Sequence, residues 1–212
     1  MPRRLSSLRS RSVIVFLLFA LAAAQQDRLP ARTWLIDCVG GSDNVNCGWK
    51  EGPCGTIQFA LDRAANGDRI DVLPGVCKGK GNFDLRFRGL QVVLTGRGYT
   101  AATGPAVEIS CDGKGRAFRF EHHEGILTRV QDMVVRDCQA DYGGAVWCDN
   151  ASPVLERLVL RNNRAALAGG AIYWHQRGPV THNLIFDANT ADGYGPDQAR
   201  FCSIRCTRGR LV

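Results

Sequence analysis

The chain has 212 residues and a formal net charge of +7, from 27 basic against 20 acidic side chains. Hydrophobic residues at 45% and charged residues at 22% are ordinary globular usage, which excludes a disordered or fibrous chain. The 24 glycines follow no three-residue period, so collagen is excluded too.

The opening reads as a secretory signal peptide over residues 1–24. Arg3, Arg4, Arg9 and Arg11 precede an apolar run, 13–24, that ends in Ala22-Ala23-Ala24. A helix of that run would be about 18 Å long against a hydrocarbon layer of roughly 30 Å, so cleavage is favoured and an uncleaved anchor is the rival. No later segment has the length and apolarity to span a bilayer. Without the four leader arginines the balance is 27 − 4 = 23 basic against 20 acidic. A residual +3 is too small to suggest a nucleic-acid partner.

Residues 25–55 form a Cys- and Gly-rich lead-in. All nine cysteines follow the leader; in an oxidising compartment such a set pairs, and the odd count leaves one thiol over. Zinc needs closely spaced ligand pairs, and Cys202-x3-Cys206 has no matching second pair, so no metal is expected. One amphipathic helix follows: Thr56 is the N-cap, Ile57, Ala60, Leu61 and Ala64 share a face, and Asn66-Gly67 stops it. Beyond it the pattern is of short strands at 69–73, 90–95, 107–111 and 117–120, each bounded by turn residues.

A period of about 26 residues then governs the chain. Gly143-Gly144-Ala145-Val146 recurs as Gly169-Gly170-Ala171-Ile172, and a further 26 lands on Gly195. Pro153 recurs as Pro179. Met133-Val134-Val135, Leu158-Val159-Leu160 and Leu184-Ile185-Phe186 precede the successive glycine corners. A unit this small cannot bury its own apolar face, so copies must stack. Strand-rich units without a helix suit one coil of a parallel β-helix, with equivalent positions about 4.8 Å apart. Met133, Leu158 and Leu184 then form one inward row, and Val135, Leu160 and Phe186 the next. Asn163 and Asn189 stack as an asparagine ladder, with Cys138 at the equivalent place in the earlier copy. A phosphate-binding loop is the rival for the glycine pairs, but neither continues to Gly-Lys-Ser/Thr or completes Gly-x-Gly-x-x-Gly.

Phe186-x-x-Asn189 with Gly169-Gly170-Ala171-Ile172 resembles the repeats of chlamydial polymorphic outer membrane proteins. Residues 53–57 and 67–75 resemble the N-terminal helix and first coil of the pectin-lyase-like superfamily. The resemblance implies an all-β fold, a right-handed parallel β-helix solenoid with an N-terminal capping helix, over 56–199, followed by a basic, Cys-containing tail, 200–212. Dividing 68–197 by the repeat gives about five coils. That superfamily holds lyases, glycosidases, adhesins and other secreted proteins.

Catalysis by this fold would need clustered carboxylates, or Ca2+ with a basic residue. Asp137, Asp141 and Asp149 share one coil, yet the aspartate and arginine motifs of polygalacturonases are missing. Arg136, Arg161 and Asp187 stack in one column, which serves equally as an outward ion-pair ladder. His122, His123, His175 and His182 have no accompanying nucleophile motif and read as surface residues. The expectation is therefore a non-catalytic secreted or cell-surface protein without a cofactor, with a polysaccharide lyase or glycoside hydrolase as the alternative.

Trp147 and Tyr173, 26 apart, should point outward from adjacent coils. With Asp149 and His175 beside them they make a candidate carbohydrate-contact strip, the rival being that the two rings merely cover one another. Val134, Val159 and Ile185 form an outward apolar stripe that calls for the tail or a second molecule as a cover. No C-terminal capping element is visible in the sequence, so either the chain is a piece of a longer one or its last coil edge meets a partner chain. Cys111 and Cys138 lie about one coil apart and are expected to bridge. Proximity suggests Cys47 with Cys54, Cys38 with Cys77, and Cys202 with Cys206. Asn150-Ala151-Ser152 is an N-glycosylation sequon, weakened by Pro153.

Overall fold

The computed structural model describes residues 31–200. The leader over 1–24 and the Cys202–Cys206 pair lie outside the described residues. Among those described the chain is a parallel β-solenoid of about five coils.

The first strand, β1 (Thr33–Ile36), lies inside the segment that composition marks only as Cys- and Gly-rich. Helix α1 (Ile57–Leu61) follows. Thr56 caps it as expected, its hydroxyl accepting from the Phe59 N–H at 3.3 Å. The helix is shorter than the sequence pattern implies, because the chain turns at Asp62 and leaves Ala64 in the turn region. Its buried face of Ile57, Ala60 and Leu61 packs on the strands of the first coil.

The coils then accumulate. The first holds β2 (Arg69–Val72), β3 (Gly75–Cys77) and β4 (Leu85–Arg86); the second β5 (Val93–Gly96), β6 (Val107–Ser110) and β7 (Phe118–Phe120). The third and fourth repeat one pattern: β8 (Arg129–Arg136), β9 (Gln139–Tyr142) and β10 (Val146–Asp149), then β11 (Val154–Arg161), β12 (Arg164–Ala168) and β13 (Ile172–His175). The last described coil is β14 (Val180–His182), β15 (Ile185–Asp187), β16 (Thr190–Ala191) and β17 (Gln198–Arg200).

Three parallel sheets result. Sheet I runs β1-β2-β5-β8-β11-β14, with β15 also on β11 and β3-β6 joined to β8. Sheet II runs β4-β7-β10-β13-β17, and sheet III β9-β12-β16. Stacking is in the expected register: Met133 pairs with Leu158, Val135 with Leu160, and Leu160 with Phe186. Met133, Val135, Leu158 and Leu160 are fully buried, each contributing roughly 1.5–3 kcal/mol by burial. Leu184 and Phe186, in the last described coil, are only partly buried against the same core.

Corners are made by residues with left-handed backbone. Gly143, Gly169 and Gly195 share φ values of 59°, 67° and 63°. Each turns sheet III into sheet II, where a Cβ would strike the carbonyl oxygen three residues on, that of Val146, Ile172 or Gln198. Non-glycine corners follow the same period: Asp132, Arg157 and Asn183 kink sheet I, and Asp137, Asn162 and Ala188 end it.

The asparagine ladder is present. Asn163 Nδ2 donates to Asn189 Oδ1 at 3.0 Å and to the Val135 carbonyl at 3.1 Å, while Asn189 Nδ2 donates to the Leu160 carbonyl at 2.9 Å. Three disulfides join Cys38–Cys77, Cys47–Cys54 and Cys111–Cys138, as the spacing suggested. Cys148, buried, is the one free cysteine among the described residues.

The outward valine stripe is uneven. Val134 is 7% exposed, Val159 half-buried and Ile185 59% exposed, so the expected apolar surface is open only at the last described coil. Flanking ions close the rest: Arg136 holds Glu108 at 2.7 Å and Arg161 holds Asp187 at 2.8 Å. The Arg136–Arg161–Asp187 column is thus an ion-pair ladder. Among the described residues no helix is long and apolar enough to cross a membrane.

Candidate functional site

In sheet II alternate residues point in and out. Val146, Cys148 and Ile172 enter the core, which turns Trp147, Asp149, Tyr173 and His175 outward. The register aligns Arg86, Arg119, Trp147, Tyr173 and Ala199 in one column crossing all five coils. A second column follows, because Phe120 pairs with Cys148 and Cys148 with Trp174. It places Glu121, Asp149 and His175 on successive rungs.

Trp147 and Tyr173 stack, with ring centroids 5.2 Å apart and planes 10° from parallel. Tyr142 of sheet III closes on them, 4.8 Å from Tyr173 and 6.2 Å from Trp147. These rings fill the angle between sheets II and III with Ala168 and Ala199, which leaves Tyr173 only 3% exposed. Burial raises the Tyr173 phenol above its ordinary range, and the hydrogen bond and charge of Tyr194 add to this. Tyr173 therefore does not face an external ligand, and mutual covering of the rings is what the geometry shows. On its other side Trp147 carries the Arg116 guanidinium, 5.4 Å from the ring centroid. Both indole faces are occupied, so a sugar cannot lie flat on Trp147. The accessible aromatic positions are the half-buried Trp147 and Tyr142, together with Tyr194, which is 54% exposed.

Tyr142 and Tyr194 were not anticipated from sequence. The signal was available: Tyr142 directly precedes one Gly-Gly corner and Tyr194 lies within the next-but-one.

The polar half of the site is built from pairs. His175 Nδ1 and Asp149 Oδ1 are 2.9 Å apart, as expected for equivalent positions in adjacent coils. One rung away, Arg119 donates to Asp84 at 2.6 Å and to Glu121 at 3.2 Å. These two bonds raise the Arg119 guanidinium above its ordinary value in spite of opposing burial. Arg116 sits in the same field. Burial, then the charge of Arg119, lowers it to about 10, against the pull of Asp84, Glu121 and Asp141. Its Nε is buried without a hydrogen-bond partner.

Other candidate residues are placed apart. His123 is a left-handed corner residue whose Nδ1 is 3.3 Å from Asn150 Nδ2. His182 ends β14 on sheet I, opposite Glu156. Asp137 lies against Arg136. Asp43, Cys47 and Cys54 bring ligand atoms within 4.8 Å of one another, but the two sulfurs are bonded to each other, which removes them as metal ligands.

Fold and surface together define a disulfide-linked parallel β-solenoid with an aromatic and acid–base outer face. Comparison with protein-family models, curated proteins and solved structures finds no match, so the resemblance of its repeats to particular families is not confirmed.

Proposed function

We propose that this chain is a secreted or cell-surface β-solenoid that works without catalysis, contacting glycans through the outer face of sheet II. The reading is supported above all by one observation, the Asp149–His175 pair facing outward beside the accessible edges of Trp147 and Tyr142 and the open ring of Tyr194. Hydroxyl-rich ligands need closely spaced donors and acceptors beside apolar edges, and this face offers them on successive rungs. Three disulfides support export, since such bonds persist in oxidising compartments, and the basic-then-apolar opening of the sequence fits a cleaved leader. In a eukaryotic host Asn150 would carry a glycan. The unpaired edge of β14 and β15 among the described residues, with Ile185 exposed, fits a partner chain.

A glycan array probed with the native protein and with Trp147→Ala/Tyr194→Ala tests the proposal. Binding that is lost in the double variant supports it; identical profiles remove the contact surface.

A second reading has one observation in its favour. Glu121 and Asp149, two carboxylates one rung apart on an open face, are the minimum for hydrolysing a glycosidic bond. New reducing ends would establish a hydrolase and unsaturated, ultraviolet-absorbing products a lyase, whereas the non-catalytic protein releases neither.

A further inference from the structure

We infer that the ligand of this face is a neutral, extended glycan lying along the solenoid axis, one sugar per rung, rather than an acidic polysaccharide. The inference rests on the glycan-contact reading above and adds the class and orientation of the ligand.

Charge gives the class. The cations of the face are already engaged: Arg119 by Asp84 and Glu121, and Arg86 within 3.9 Å of Asp84. Arg116, whose guanidinium makes no ion pair among the described residues, packs over Trp147 within the field of Asp84, Glu121 and Asp141. Counting Asp84, Glu121, Asp141 and Asp149 against Arg86, Arg116 and Arg119 leaves four carboxylates to three guanidinium groups. A polyanion would meet an excess of carboxylate over guanidinium on a face where Arg86 and Arg119 are already paired with acids and Arg116 is packed over Trp147, an arrangement that disfavours it. Sugar hydroxyls, in contrast, donate to the carboxylate oxygens and accept from the guanidinium N–H groups without breaking the existing pairs.

Register gives the orientation. Outward polar groups recur rung by rung at Arg86, Arg119 with Glu121, Asp149 and His175, at the roughly 4.8 Å separation of neighbouring strands. An extended β-linked glycan advances by a similar distance per ring, so successive sugars meet successive rungs. Four rungs span about 14 Å on the same spacing, which sets the length at which affinity should level off.

Calorimetric titration of the whole protein with cello- and chito-oligosaccharides of two to six sugars, beside oligogalacturonates and chondroitin sulfate fragments of matched length, decides the matter. The expected result is binding of a neutral series that strengthens several-fold per added sugar up to about four and then levels off, with acidic chains at least tenfold weaker. Asp149→Asn should weaken that binding about tenfold with an unchanged far-ultraviolet spectrum, while Arg161→Gln on sheet I should have no effect. Tighter binding of an acidic series, or affinity independent of length, overturns the inference while leaving a glycan-contact surface standing. If neither series nor any glycan on the array binds, the underlying reading falls with it.

Discussion

The main-chain N–H of Cys138 donates to the side-chain oxygen of Asn163 at 3.1 Å, so a cysteine heads a ladder whose other rungs are asparagines. Asn163 in turn receives the same service from below, its own N–H donating to Asn189 Oδ1 at 3.0 Å. Cys138 has no amide with which to reach the coil before it. Its sulfur is bonded to Cys111 instead, which ties the second coil to the third where the hydrogen-bonded ladder stops.

Removing a rung should therefore be costly. Asn163→Ala leaves the Cys138 N–H and the Val135 carbonyl buried without their side-chain partner, and is expected to lower unfolding free energy by about 2–4 kcal/mol. Replacing Cys111 and Cys138 together by Ser should cost a similar ~2–4 kcal/mol. Urea midpoints of both variants check this.

Glycine corners separate steric from conformational demands. A Cβ at Gly144 would lie 2.2 Å from the Gly170 carbonyl oxygen and 2.6 Å from that of Arg164. Gly144→Ala should destabilise by more than about 3 kcal/mol or prevent folding, because the atoms it meets are backbone. Gly125→Ala, where nothing lies within 4 Å and φ is not positive, should shift stability by less than about 0.5 kcal/mol. Thermal melts of the pair make the comparison.

Acid should loosen the N-terminal coil through Asp68. Burial alone would raise this carboxyl. Hydrogen bonds from the Ala65 and Arg32 N–H groups and the Trp34 indole outweigh burial and hold it below its ordinary 3.8. A depressed folded value means that its contribution is complete above about pH 4–5 and is lost as pH falls through the folded value. Asp68→Asn should flatten the stability curve below pH 4, and Trp34 fluorescence during acid titration reads the change.

Alkali should spare one tyrosine. Tyr173, buried and bonded to Tyr194, is held above its ordinary 10.0, so its contribution to stability is present below pH 10 and fades as pH rises through the higher folded value. Phenolate absorbance should show a late-titrating group that Tyr173→Phe abolishes.

Thiol chemistry offers a further check. Cys148 is fully buried and its thiol is pushed well up, by burial first and then by the Glu124 charge. Alkylation of the native protein should leave Cys148 unmodified, and alkylation in denaturant should label it. Mapping the unreduced peptides should return Cys38–Cys77, Cys47–Cys54 and Cys111–Cys138. An unfolded-only reaction at Cys148 confirms its place inside the solenoid.

Much of this architecture is legible in one dimension because a solenoid converts sequence offset into height. An offset of 25 or 26 residues is enough to set Leu158 against Met133, Trp147 against Tyr173 and His175 beside Asp149, with no knowledge of distant contacts. The same offset pairs Arg161 with Asp187 and aligns the glycine corners. Strand β1 escaped notice because its partner lies 36 residues on and carries no repeat signature.

What remained for the tertiary structure was everything governed by the angle between sheets. Periodicity says that Trp147 and Tyr173 point outward; it does not say that sheet III folds Tyr142 and Ala168 against them, or that Arg116 covers the free indole face. Outward is a property of one strand, whereas exposure depends on what its neighbours bring to the same corner. So the sequence determined the stacking order of the coils, and packing between sheets alone decided which of the outward rings a ligand can reach.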